Sequence, residues 1–233
     1  MGIDFARSDP GAAPNVTRRP IFFEAVPHLD HLVYAVPDLD AACAAVAKTS
    51  AVTPTVGGVH PGRGTHNALV GLAGGAYLEL IAAHPTEPHG PNGRWMGVDL
   101  VTAPTLTRWA VRGVDVAAFA KTLHDAGYPQ LAHLATGQRR TPGGQTLRWR
   151  MTEPQPAPVV ELLPFALDWS ESDVHPAEGL GAVLEVEGLR FAHPEAGRVG
   201  EVFERLGLGY EVVFGEVPKI GVTLRGPGGS FGL

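Results

Sequence analysis

Three residues have types and settings that suit chemistry: His31, Glu79 and Glu161. Each interrupts an apolar run, His31 in Leu29-Asp30-His31-Leu32-Val33-Tyr34-Ala35-Val36, Glu79 in Tyr77-Leu78-Glu79-Leu80-Ile81, and Glu161 between Val160 and Leu162. A carboxylate inside an apolar strand is costly unless it is paired, hydrogen-bonded or metal-bound. One imidazole nitrogen and two carboxylates make a donor set for Zn, Mn, Ni or Fe(II) rather than for a thiolate-preferring ion. Such an ion would act as a Lewis acid on a bound oxygen, and a neighbouring glutamate or His60 would move a proton. The same residues admit a plainer reading, in which His31 bonds a backbone carbonyl, Glu79 pairs with an arginine such as Arg148, and Glu161 sits at a solvated edge.

The segment Gly57-Gly58-Val59-His60-Pro61-Gly62-Arg63-Gly64-Thr65-His66-Asn67 is the most polar stretch between two strand-like runs, and its glycines allow close backbone approach to a ligand. Here His60 is a candidate acid-base group and Arg63 a candidate holder of a carboxylate or enolate oxygen. Alternation points Thr65 and Asn67 to one face. A turn in which His60 and Asn67 bond local backbone is the alternative. Trp109, Trp149 and Phe165 are candidates for an aromatic cavity wall, or for plain core. The remaining histidines read as turn or surface residues. The glycine clusters lack the strand, spacing and lysine of dinucleotide or phosphate loops, and a serine nucleophile elbow is missing.

These residues need strands to position them. Residues 1–26 lack periodicity and read as an arm. A strand at Leu29–Val36 is followed by a helix capped by Asp38 and running from Leu39 to about Lys48. Strands at Thr53–Val59, Thr65–Leu72 and Ala76–Ala82 complete a βαβββ unit, 27–83. After a Pro- and Gly-rich linker, 84–104, the order repeats over 105–169: a strand at Leu106–Val111, a helix capped by Asp115, then strands at Gln130–Gln138, Gln145–Thr152 and Pro158–Leu167. Trp109 follows His31, and Glu161 follows Glu79, at nearly the same offset, which signals duplication. Residues 170–233 read as a partial third copy, βαββ. The expected class is therefore α+β, built from paired βαβββ modules.

The first-module segment Leu29 to Asp40, with Tyr77-Leu78-Glu79-Leu80-Ile81, resembles the vicinal oxygen chelate superfamily of glyoxalases, dioxygenases and resistance proteins. His60 to Asn67, Leu106 to Asp115, and Pro164-Phe165-Ala166-Leu167-Asp168-Trp169 narrow the resemblance to its glyoxalase-like domain family. The resemblance implies a mixed sheet curled into a cup around a small ligand, with the helices outside. It also implies metal ligands on the first and last strands of each module, which are the positions of His31, Glu79, Trp109 and Glu161 here. Trp109 departs from that pattern, because an indole has no acceptor. An extradiol dioxygenase would want a second histidine at that place, so isomerase, epimerase or lyase chemistry ranks above it. A metal-free binding or sequestering protein, or a metal-free acid-base enzyme using His31, His60 and a glutamate, are the alternatives.

The bulk properties narrow the partners. With 233 residues, 44% of them hydrophobic and 18% charged, the chain can fill a core. A net charge of −6 argues against nucleic acid as a partner. No apolar stretch is of membrane-spanning length, and Cys43 as the single cysteine fits a reducing compartment, so the expectation is a cytoplasmic, bacterial-type protein. Its partner would be a small-molecule substrate or ligand, with no organic cofactor, and sheet edges would permit a homodimer.

Overall fold

The computed structural model describes residues 26–91, 93–141, 143–181 and 183–233; residues 1–25 of the expected arm lie outside them. The first module is β1 (His28–Ala35), α1 (Leu39–Ser50), β2 (Thr55–His60), β3 (Thr65–Leu72) and β4 (Ala76–Ala83). The second repeats it as β5 (Thr105–Arg112), α2 (Val116–Asp125), β6 (Leu134–Arg140), β7 (Thr146–Thr152) and β8 (Phe165–Asp168). The C-terminal unit is β9 (Val183–His193), α3 (Ala196–Arg205), β10 (Val212–Phe214), β11 (Lys219–Gly226) and β12 (Gly229–Gly232), one strand more than expected. Both predicted caps form: the Asp38 carboxylate accepts from Ala41 N at 2.9 Å, and that of Asp115 from Ala117 N and Ala118 N. No helix among the described residues is long and apolar enough to cross a membrane.

One mixed sheet runs β12-β11-β9-β3-β4-β1-β5-β8-β7-β6, with β2 beside β3 and β10 beside β9. The two modules join where β1 and β5 pair antiparallel. Alternation sorts the side chains into two cores. Leu32, Leu78, Leu80 and Trp109 face the helices on the outer side. Val33, Ile81, Ala110, Phe165 and Leu167 form a smaller inner cluster, with Met96 from a short helical turn at Trp95–Leu100. His31, His60, Asn67 and Glu79 lie on this inner face.

Two expectations about the second module fail, one for register and one for proline. Trp109 is opposite Leu32, whereas His31 is opposite Ala110. A shift of one residue reverses the face of a side chain, so Trp109 is fully buried in the outer core, packs on Phe191 and Phe203, and donates its Nε1–H to Leu162 O. It is no part of a cavity wall. Nor does Glu161 stand in a strand: four prolines at 154, 156, 158 and 164 delay β8 until Phe165. Its carboxylate accepts from Leu163 N at 3.0 Å and lies near the buried Arg108, whose guanidinium is bonded to backbone carbonyls of the 155–159 loop. Burial raises the Glu161 carboxyl above its ordinary value, with that hydrogen bond and Arg108 opposing.

Candidate functional site

His31, His60 and Glu79 meet in one pocket, with about 40 Å³ of space open to water. β1 supplies His31, the end of β2 supplies His60, and β4 supplies Glu79, all from the first module. His31 Nε2 lies 3.7 Å from Glu79 Oε2, and His60 Nε2 lies 3.7 Å from Glu79 Oε1. Asn67, two residues into β3 and on the same face, donates Nδ2–H to Glu79 Oε1 at 2.6 Å and stands 3.3 Å from His60 Nε2. All four are buried. The second module contributes the wall, chiefly Trp149, Phe165, Leu167 and Trp169, with Trp95 from the segment between the modules.

The partners of each histidine fix its orientation. His31 donates Nδ1–H to Asp30 Oδ1 at 2.7 Å, which turns Nε2 toward Glu79. Neighbours in a strand normally point to opposite faces, but the pairing of β1 with β5 shifts register between Leu29 and His31. Such an irregularity lets Asp30 and His31 work together. Asp30 is fully buried and its Oδ2 accepts Trp169 Nε1–H at 2.9 Å and His175 Nε2–H at 3.0 Å. Burial alone would raise its carboxyl, but the hydrogen bonds from His175 and His31 and their charges outweigh it and hold Asp30 well below the ordinary carboxylate range. Tyr77 stacks on His31 at 4.5 Å, and burial, with Asp30 and Glu79 nearby, keeps its phenol protonated.

His60 Nδ1 is 2.8 Å from Thr65 Oγ1, and its ring meets Trp95 edge-on. Burial pushes this imidazole down to about 4 against the pull of Glu79, and Arg139, His66 and Arg63 push the same way. His60 is therefore neutral near pH 7, a base rather than a cation. Because the unfolded chain takes up this proton first, the stability that His60 contributes is full above about pH 6.5 and falls as pH drops toward 4, by at most about 3 kcal/mol. Asp30 contributes loss only below the ordinary carboxylate range, so the two are separable. Urea midpoints of wild type and His60→Gln across roughly pH 7 to pH 4.5 should show a shallower slope in the variant; equal slopes would contradict the assignment.

Of the expected residues, His31, Glu79, His60 and Asn67 come together, Thr65 supports His60, and Trp149 and Phe165 line the wall. Trp109 and Glu161 do not reach the pocket. Arg63 lies over the Trp95 ring and pairs with Glu153 outside it. Arg148 pairs with Asp173, not with Glu79. Sequence reasoning missed Asp30, Trp95, Arg139, Trp169 and His175. An acid directly before the strand histidine was the one local signal available; the others arrive from distant segments.

Gly57 matters to the geometry. A Cβ there would stand 2.1 Å from Asn67 Oδ1, so only glycine leaves the amide its place beside Glu79. Gly57→Ala should therefore displace Asn67, cost about 1–3 kcal/mol by overpacking, and reduce whatever activity Glu79 supports. Retention of both wild-type stability and the Asn67 side-chain amide resonances would contradict this.

The donor chemistry suits a divalent ion more than the spacing does. Among the described residues no group of three or more His, Cys, Asp and Glu side chains stands at metal-ligand spacing. Both 3.7 Å gaps exceed the roughly 3.4 Å that separates donors on ~2.1 Å bonds around a four-coordinate ion. Yet Asn67 Oδ1 is buried with no hydrogen-bond partner. A half-turn of the amide would replace Nδ2 by Oδ1 beside Glu79, so that two imidazole nitrogens, a carboxylate and an amide oxygen converge. The donor types, rather than their present spacing, are those of a site for a borderline divalent metal.

Paired βαβββ modules around an inner polar cluster define a glyoxalase-like protein of the vicinal oxygen chelate type. Residues 29–207 match the glyoxalase-like domain family, and the chain belongs to it. A hypothetical protein from Staphylococcus aureus has a similar structure, with TM-score 0.60 at 15% identity over 83% of this chain and 88% of that one. Methylmalonyl-CoA epimerase from Mycobacterium tuberculosis aligns at TM-score 0.39 and 20% identity, over 60% of this chain and 85% of that one. A Streptomyces coelicolor methylmalonyl-CoA epimerase in complex with 2-nitronate-propionyl-CoA aligns at TM-score 0.40 and 18% identity, over 64% and 99%. No curated protein matches the chain.

Proposed function

We propose that the protein is an enzyme acting on a small molecule with a carbonyl or two vicinal oxygens, and that it moves a proton at the carbon beside the carbonyl. The outcome is isomerase, epimerase or lyase chemistry through an enediolate-like state. The observation that carries this reading is the convergence of His31 and His60 on the buried Glu79 carboxylate beneath an aromatic wall. His31, His60 and Glu79, with Asn67 turned over, would hold a Zn, Mn, Ni or Fe(II) ion. Bound there, the ion would supply Lewis-acid polarisation of a carbonyl oxygen.

The chain's own groups do the rest. Without an ion, Asn67 keeps its N–H on Glu79 Oε1, and Oε2, which receives no hydrogen bond among the described residues, can take a proton from carbon. In that same ion-free site His60, neutral, can receive or return a proton at a substrate oxygen through Nε2. Asp30 is a positioning residue that fixes the His31 ring, and the tryptophans exclude water from the floor. A stoichiometric binder is the second reading, favoured by the Trp149–Trp169 pair, whose rings lie 5.8 Å apart and suit an aromatic ligand.

The test combines metal content by mass spectrometry, on protein purified without tag or chelator, with solvent-deuterium incorporation into a panel of enolisable α-keto and vicinal dicarbonyl compounds. Near-stoichiometric metal, lost in a His31→Ala, Glu79→Ala double variant, together with exchange above the uncatalysed rate, is the expected result. Stoichiometric ligand binding without exchange would favour the binder. A protein that takes up none of these ions would lose the metal-assisted mechanism.

A further inference from the structure

Arg139 is the one lysine or arginine among the pocket-lining residues, and neither the catalytic trio nor the fold accounts for all of it. It comes from β6, at one end of the curled sheet, and donates Nη1–H to Gly57 O at 3.0 Å on β2, the edge strand of the first module. Gly58 admits the guanidinium, since a Cβ there would stand 3.1 Å from Nη1. Gly57 thus lies between Arg139, bonded to its carbonyl, and the Asn67 amide, which reaches the trio.

The charge of Arg139 is not matched. Arg63 has Glu153, Arg94 has Asp99, and Arg112 lies 3.8 Å from Asp30, whereas Arg139 forms no ion pair among the described residues. Its other N–H groups have no protein acceptor there. A guanidinium offers five donors in a planar fork that matches a carboxylate. Half-buried beside Trp149, it gains far more from an anion than a guanidinium in open water does. The uncommitted donors, the aromatic wall and the trio together describe a ligand with three parts: a ring, adjacent oxygens and one negative charge.

We propose that Arg139 is a specificity-determining residue that binds an anionic, carboxylate-type group of the ligand, so that the site selects aromatic acids bearing a vicinal oxygen over neutral dicarbonyls of the same shape. This deepens the reading of the pocket given above and rests on it for the location of the site. One N–H closes the seam between β2 and β6, and the remaining fork faces the ligand.

Two isosteric pairs test it by calorimetry: benzoylformate against acetylbenzoyl, in which a methyl group replaces the carboxylate oxygen, and phenylpyruvate against its methyl ketone. The acids should bind wild type more tightly than their neutral partners. Arg139→Gln should weaken the acids by roughly ten- to hundredfold and leave the neutral compounds within about twofold. Arg139→Lys, which keeps the charge without the fork, should fall between. Retained binding of the neutral compounds shows that the pocket of the variant is intact. Equal binding of acid and neutral compound by wild type would overturn the proposal. So would an equal loss of both in Arg139→Gln, which would make the residue a seam strap alone, or the absence of saturable acid binding up to roughly 1 mM. Because these are binding measurements, a failure of turnover, which would sink the enzymatic reading, leaves their outcome readable.

Discussion

Glu79→Gln is expected to lower kcat/KM for any substrate that exchanges deuterium by roughly 10³-fold or more, with the fold retained. The substitution keeps size and shape, so the side chain can still accept from Asn67, but it removes the charge on which both histidines converge. The carboxamide can neither take a proton from carbon nor serve as an anionic ligand to a metal ion. A second consequence separates this effect from general damage. Glu79 is the influence that raises His60 against burial; with it neutralised, His60 should titrate even lower, which histidine proton NMR would record. Exchange activity within about tenfold of wild type would remove Glu79 from the chemistry.

Asp30→Ala is expected to be the most destabilising single change near the site. It takes the acceptor from three buried or part-buried donors at once, His31 Nδ1, Trp169 Nε1 and His175 Nε2. Breaking a buried charged network by removing one partner costs about 3–5 kcal/mol, and urea unfolding should show a midpoint shift of corresponding size with an unchanged slope. The same loss frees the His31 ring. Loss of such an outer partner costs about 10–100-fold in metal affinity or activity. Asp30→Asn keeps one acceptor and should lie between. A shift in midpoint below about 1 kcal/mol would show that His175 and Trp169 find other acceptors and that Asp30 does not organise the site.

Patterns within one element carried a large part of the architecture. The Asp38 and Asp115 caps, the strand-helix-strand order repeated in two modules, and the alternation that puts Asn67 and Glu79 on the inner face all depend on residues a few positions apart. His31 and Glu79 were legible for the same reason, as polar side chains on strands that are otherwise apolar. His60 was legible as a loop residue between two glycine pairs, although its approach to Glu79 was not.

Tertiary structure decided what crosses from one element to another. The single-residue offset between β1 and β5 turned Trp109 outward, because a strand reverses side chains at every step. Proline delayed β8 and left Glu161 beside Arg108 instead of in the cup. Asp30 joined His31 only because the ladder with β5 is irregular there, and His175 and Trp169 reached Asp30 from residues far away in the chain. Arg139 entered the pocket because its side chain reaches from β6 to Gly57 O on β2, a strand distant from it in the sheet order. The sequence by itself determined which local elements form and which side chains each presents; register and curvature, which depend on the packing of whole strands against one another, decided which of those side chains meet.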